Sequence, residues 1–293
     1  MIYHIQDAAA SASIDSFGAQ LISLKDGEGR EYIWQRDPEY WSECSPLLFP
    51  VVGRVRNGRT EINGKWYELP LHGFLRTSQF EVLSQSGEQI TFTLSDSEET
   101  RRVYPFHFRF SITYALSGGV LSMKCRVENT GDEMLPFFIG LHPGFNCPMQ
   151  EGERFEDYLL EFDQKETGGC RLIDVEHTQF DMSRTCPLPE DGYRIPLDYS
   201  LFVPDAFWFD RASFRKVALK HARTGKGVEV AFPDFSTVAF WTPAEKHAPL
   251  LCIEPWNGSA ACSDEDDQFL HKNHLQTLEA GEKADYEIRI RIL

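Results

Sequence analysis

Three short stretches of the chain set an ionisable side chain inside an apolar run, beside glycine or proline. The first is Leu47-Leu48-Phe49-Pro50-Val51-Val52-Gly53-Arg54, followed by Leu71-His72-Gly73-Phe74. The second is Gly140-Leu141-His142-Pro143-Gly144-Phe145-Asn146, and the third is Leu250-Leu251-Cys252-Ile253-Glu254-Pro255-Trp256-Asn257-Gly258. A carboxyl group placed after Leu-Leu-Cys-Ile is expected to be partly desolvated. That raises its pKa toward the range useful to a general base. An imidazole titrates near neutral pH and can give or take a proton there. Each group also has an ordinary reading by itself. Glu254 can end a strand facing an arginine or water, His72 and His142 can be satisfied core or turn histidines, and Arg54 can sit on a surface hairpin. All three stretches are expected to lie where a sheet hands over to a loop, a common seat for site residues.

The elements that must position them are strands. Phe106, Phe108, Phe110, Ile112, Tyr114 and Leu116 alternate with more polar residues, and so do Leu121, Met123, Cys125 and Val127 after Gly118-Gly119. Two alternating runs around Gly-Gly predict a long antiparallel hairpin with one buried face. The same period of two recurs at Ile90-Phe92-Leu94, at Val228-Val230-Phe232 and at Tyr286-Ile288-Ile290-Ile292. Gly18 to Leu24 with Tyr32-Ile33-Trp34 reads as a further strand pair. Helical periodicity is scarce. Asp37-Pro38-Glu39-Tyr40-Trp41 predicts one short helix, capped by Asp with Pro in its first turn. Many strands without crossover helices predict an all-β sandwich, with residues 1–293 as one domain.

Composition removes several functions. The 293 residues carry 29 Lys+Arg against 45 Asp+Glu, a net charge of −16, which argues against nucleic acid and anionic membrane surfaces as partners. The N-terminus lacks a basic start and an apolar run, so no signal peptide is read, and no stretch is apolar for long enough to span a bilayer. Seven cysteines without a Cys-x-x-Cys pair suit reduced thiols in a cytoplasmic protein. No Gly-rich phosphate fingerprint and no Gly-x-Ser-x-Gly elbow is present. The acidic run Asp264-Glu265-Asp266-Asp267 lacks EF-hand spacing and reads as a solvated loop. His271 and His274 could share a helix face as metal ligands, but no third ligand stands at a suitable spacing. No metal and no cofactor is expected.

Taken together, the His-Gly-Phe, Gly-Leu-His-Pro-Gly-Phe-Asn and Glu-Pro-Trp-Asn-Gly segments resemble the motifs of the aldose 1-epimerase, or galactose mutarotase-like, family, and in particular its LacX-like branch. The resemblance runs from about Ile14 to Leu293. It implies a large antiparallel β-sandwich of the supersandwich type with a sugar cleft. It also implies interconversion of the α and β anomers of a free hexose such as galactose or glucose. By that resemblance Glu254 matches the base for the anomeric hydroxyl O1, His142 the acid for the ring oxygen O5, and His72 a second histidine near O5 or O1. Arg54 and Asp205 match sugar-binding residues, and Trp256 is a candidate platform for a pyranose face. Trp208 is read as core. Leu141-His142 stands where better-known galactose mutarotases carry Asn-His, which bears on sugar preference.

Two other functions are consistent with the sequence. A hexose 6-phosphate epimerase would need a cationic clamp, for which Arg54, Arg56, Arg59 and Arg76 are candidates. A non-catalytic sugar-binding protein could use the same fold. A glycosidase would want two carboxylates flanking one bond, and only Glu254 has a persuasive setting. One prediction follows from the cysteine pattern alone. Thiol titration of freshly purified, denatured, unreduced protein is expected to count seven thiols, and a count of five would contradict it.

Overall fold

Alternation along the chain is converted into two large antiparallel sheets. The structure is a computed structural model that describes every residue except Pro187, Pro189 and Glu190. Phe108–Ser117 and Val120–Asn129 form the expected hairpin, closing from Ser117 to Val120 through Gly118 and Gly119, both at positive φ. That is the backbone of a primed two-residue turn, whose twist matches the strands it joins. Phe108, Phe110, Ile112, Tyr114 and Leu116 are buried, and the residues between them lie outward. This hairpin stands within a nine-stranded sheet. Lys283–Ile292 pairs with Val120–Asn129, and Gln89–Ser95 pairs with Phe108–Ser117.

The second sheet has eight strands, and its centre holds Phe207–Phe209, Thr237–Trp241 and Leu250–Asn257. Phe162 of the nine-stranded sheet meets Phe209 and Phe240 of this one, with ring centroids 5.6 and 6.4 Å apart. Phe49, beyond the short strand Leu47–Leu48, packs on Phe108 and Phe110. The buried apolar side chains form one continuous cluster from Ile5 to Ile290. The architecture is therefore the large antiparallel β-sandwich that the alternation predicts.

Leu250–Asn257 is buried on both faces. Ile253 pairs with Phe240 and faces the other sheet, so Cys252, Glu254 and Trp256 share the opposite face. Glu254 thus lies inside the strand and not at its end, which corrects the sequence reading. The strand continues through Pro255 because its far side is only partly paired. Ile139–Leu141 and Gly144–Asn146 lie along it in two pieces, with His142-Pro143 between them. Proline, which has no N–H to donate, stands at that gap and forfeits no ladder bond.

Two further expectations change. Tyr32-Ile33-Trp34 forms no full strand with Gln20–Asp26, which pairs along its length with Ala10–Asp15; the contact is limited to a Lys25–Glu31 bridge, with Tyr32 N–H donating to Leu24 O at 2.9 Å. Beyond that bridge the Glu31 carboxylate accepts the amides of Leu24 and Ile33, both at 2.9 Å, and Trp34 N–H donates to Gly144 O, so the pairing goes no further. Asp37 does cap the next segment, accepting the Glu39 amide at 3.0 Å, but only one turn forms. That turn delivers Trp41 toward the second sheet.

Gly140 pairs with Trp256 in register, and a Cβ there would lie 2.5 Å from Trp256 Cδ1 and 3.0 Å from Val52 Cγ1. Gly140→Ala is expected to cost about 1–3 kcal/mol by overpacking. Gly87→Ala, with open space around its Cβ, should stay within about 0.5 kcal/mol of wild type. Urea unfolding of the two variants checks this, and equal midpoints would refute the close packing.

Candidate active site

The pairing register is the same on both sides of the His142-Pro143 interruption: Gly140 stands opposite Trp256 and Gly144 opposite Cys252. His142 therefore falls directly across from Glu254, and its Nε2 lies 3.1 Å from Glu254 Oε2. The flanking pairs explain the glycines. Gly140 leaves room for Trp256, and a Cβ on Gly144 would come 2.8 Å from Trp41 Cζ3 and 3.3 Å from Cys252 Sγ. On the other side of Glu254 stands Ala239, another small residue, and beside Cys252 stands Trp241.

His142 and Glu254 form the floor of a cavity of about 340 Å³, a size suited to a small molecule. Arg54, His72, Asp205 and Trp256 line it as well, so the structure gathers every expected site residue at one place. Trp41, Glu43, Arg76, Trp241 and the Thr178-Gln179-Phe180 segment complete the wall. Sequence reasoning gave none of these except Arg76 a place at the site. Arg56 and Arg59 lie elsewhere. Arg56 donates to the carbonyls of Cys262 and Glu265, and Arg59 covers Trp66 at 4.6 Å.

Burial dominates the electrostatics. Glu254 is 2% exposed, and desolvation raises its carboxyl well above the usual range, with the Asp205 charge acting in the same direction. Burial drives His142 the other way, to a strongly depressed pKa. Burial thus pushes each group toward its uncharged form. Trp41 stacks on His142 at 5.0 Å and 28°, and Trp241 meets it edge-on at 5.9 Å. The two indoles fix the plane of the imidazole. Burial also raises Asp205, against interactions with the Trp241 indole and the Ala206 amide.

His72 is set differently. Its backbone is left-handed (φ 61), its N–H donates to Gly53 O at 2.8 Å, and its Nδ1 accepts the Gly53 amide at 3.0 Å. An accepting Nδ1 puts the ring proton on Nε2. Burial, with the nearby His142, Arg76 and Arg54, holds His72 well below its ordinary pKa. It is a neutral donor. Arg76 reaches Glu43 at 2.5 Å, which leaves Arg54 exposed at the rim without an ion-pair partner among the described residues. Trp256 is 4% exposed and meets His72 edge-on at 6.5 Å, so it forms wall more than open platform. Trp208 is core, stacked on Phe180.

The remaining candidates lie apart from the cavity. His271 and His274 face separate carboxylates, Asp266 at 2.9 Å and Asp210 at 2.5 Å. In the acidic run, Glu265 pairs with Lys272, Asp266 with His271 and Asp267 with Arg56. All seven cysteines are free thiols.

Comparison with known proteins gives the family. Residues 1–291 match the family model for aldose 1-epimerase. The plasmid-encoded protein LacX of Lactococcus lactis subsp. lactis is 34% identical over 273 residues, 90% of each chain. The galactose mutarotase of Mus musculus is 25% identical, covering 78% of this chain and 73% of its own. A galactose mutarotase related enzyme from Lactobacillus acidophilus superposes with a TM-score of 0.93 at 34% identity, over 100% of this chain and 97% of its own. A family match over residues 1–291 and 34% identity across nine-tenths of the chain are decisive: this protein belongs to the aldose 1-epimerase family and is similar to LacX.

Proposed function

We propose that the protein is an aldose 1-epimerase that interconverts the α and β anomers of a free hexose. The observation that carries the reading is the buried His142–Glu254 pair, 3.1 Å apart on the floor of a sugar-sized cavity. Ring opening needs a proton taken from O1 while another is given to O5, one atom away across C1. A carboxylate and an imidazolium set side by side suit that transfer. Hydroxyls of a bound sugar replace some of the lost solvation and favour the charged arrangement, with the shared proton on His142. Glu254 then takes the O1 proton, His142 protonates O5, and the C1–O5 bond breaks. After rotation about C1–C2 the two groups reverse roles and close the ring on the other face. The proton count is unchanged over the cycle, and the steps call for no cofactor.

Around that pair, His72 donates from Nε2 to a sugar oxygen near O5 or O1. Arg54 and Asp205 hold hydroxyl groups, and Trp256 limits the pyranose edge. A neutral hexose is favoured over a hexose 6-phosphate because Glu43 already balances Arg76, leaving Arg54 as the one uncommitted cation at the rim among the described residues. Polarimetry on fresh α-galactose, α-glucose and their 6-phosphates decides between them. It also separates an epimerase from a sugar-binding protein, which would accelerate none of the four.

Glu254→Gln keeps the shape but cannot accept the O1 proton, so turnover should fall about 10²–10⁴-fold with little change in sugar binding. His142→Asn should lose a comparable factor. The double variant should fall well short of the product of the two, because the groups act as a unit. A folded Glu254→Gln protein within a few-fold of wild-type turnover would remove Glu254 from the mechanism.

The same substitution has a stability consequence with a definite sign. The carboxyl is raised in the folded state from an ordinary 4.5, so above that pH the unfolded chain binds fewer protons than the native protein. Stability from this group is full below pH 4.5 and is lost as pH rises toward the folded value. Glu254→Gln should therefore melt at or above wild type at pH 8, with the gap closing toward pH 4. A clearly lower melting temperature at pH 8 would show instead that the charged pair stabilises the fold.

A further inference from the structure

Cys252 has no part in the acid–base reading, yet it stands two residues before Glu254 on the same face of the strand. Its thiol is fully buried, and its Sγ makes no hydrogen bond among the described residues. The other atoms around it are also short of partners. His142 Nδ1 is buried without a hydrogen bond, and Glu254 has His142 as its near polar neighbour. One ligand atom from each of His142, Cys252 and Glu254 lies within 4.8 Å of the other two. A thiolate, an imidazole nitrogen and a carboxylate oxygen form a donor set that suits zinc, with bonds of about 2.0–2.3 Å. Those bonds imply ligand-to-ligand edges of about 3.5 Å, and the His142–Glu254 edge is already 3.1 Å. The edges to Cys252 Sγ are within 4.8 Å, so a change in the thiol's χ1 is what binding would require. Gly144 leaves the space for it, since a Cβ there would stand 3.3 Å from Sγ.

We infer that the floor of the cavity is a binding site for a thiophilic divalent cation of the zinc type, held by His142, Cys252 and Glu254. Thiolate plus carboxylate balances the two positive charges, so the complex is neutral in a place that water scarcely reaches. Coordination releases the thiol proton and the proton shared by the pair to solvent. His142 and Glu254 also line the cavity, so the site would lie next to it. Because His142 and Glu254 are then ligands, the metal-loaded protein has neither its acid nor its base, and the cation is an inhibitor. Occupancy would couple sugar turnover to the free zinc level.

Cobalt(II) reads the site without reference to activity. Titration of the wild-type protein with cobalt(II) is expected to give a thiolate-to-metal charge-transfer band in the near ultraviolet, saturating at one equivalent, and zinc is expected to abolish it. Cys252→Ala should lose the band. Absence of the band in wild type, or its persistence in Cys252→Ala, overturns the site. In the mutarotation assay zinc should inhibit wild type, with chelator restoring activity. Cys252→Ala should turn over at the wild-type rate in chelator and need about 10–100-fold more zinc for the same inhibition. Cys252→Ser serves the same purpose if the alanine variant fails to fold. Equal zinc sensitivity of wild type and variant would place the inhibition at surface histidines and refute the proposal. The inhibition arm rests on the epimerase reading and the cobalt arm does not. A protein with the band but no mutarotation therefore fails the first reading and keeps the second.

Discussion

The molecule is organised around one cross-strand pair. His142 and Glu254 are opposite each other because the register of Leu250–Asn257 with its neighbour survives an interruption of that neighbour. A shift of one residue would send Glu254 to the inner face of the sandwich, among Phe240 and Phe162, where no cation waits. Much of the local sequence serves this alignment. Pro143 and Pro255 occupy the gap where a ladder bond is missing. Gly140, Ala239 and Gly144 are small because Trp256, Glu254 and Trp41 project beside them.

Placing two ionisable groups under that much protein is costly, and the surroundings show how the cost is contained. Burial moves their pKa values in opposite directions, each toward the uncharged form. Aromatic rings instead of charges hold the imidazole, with Trp41 on its face and Trp241 at its edge. His72 is kept neutral and oriented by two hydrogen bonds to one residue, Gly53. The cations stay at the rim, where Arg76 is balanced by Glu43.

The period of two made the nine-stranded sheet legible, since its outer face meets water and its inner face does not. The second sheet was harder to read. Leu250–Asn257 is covered on both sides, so its apolar run has no alternation to show that it continues through Glu254 and Pro255. The site residues Arg54, His72, His142 and Glu254 stood out as ionisable groups in apolar company, and their order along the chain carried the family resemblance. Trp41, Glu43 and the 178–180 wall had no such contrast with their neighbours. Their place depends on loops that fold over the sheet, and the turn at Asp37 marked a helix start without saying where Trp41 would point. Trp241 carries one signal, the alternation Thr237, Ala239, Trp241 beside Val238 and Phe240. At Glu31 a side chain takes up the Leu24 and Ile33 amides and limits the pairing begun by the Lys25–Glu31 bridge.

The double covering of Leu250–Asn257 has a consequence for how the protein fails. A strand flanked on both edges and buried on both faces belongs to the last part of a fold to open, and its amides exchange with solvent only through global unfolding. The floor of the cavity is built on that strand, while the walls come from loops that open far more cheaply. Local fluctuation can therefore loosen the entrance, and with it the hold on a sugar, without separating His142 from Glu254. On heating, affinity should decay gradually, whereas the capacity to move the proton persists and then disappears together with the native state.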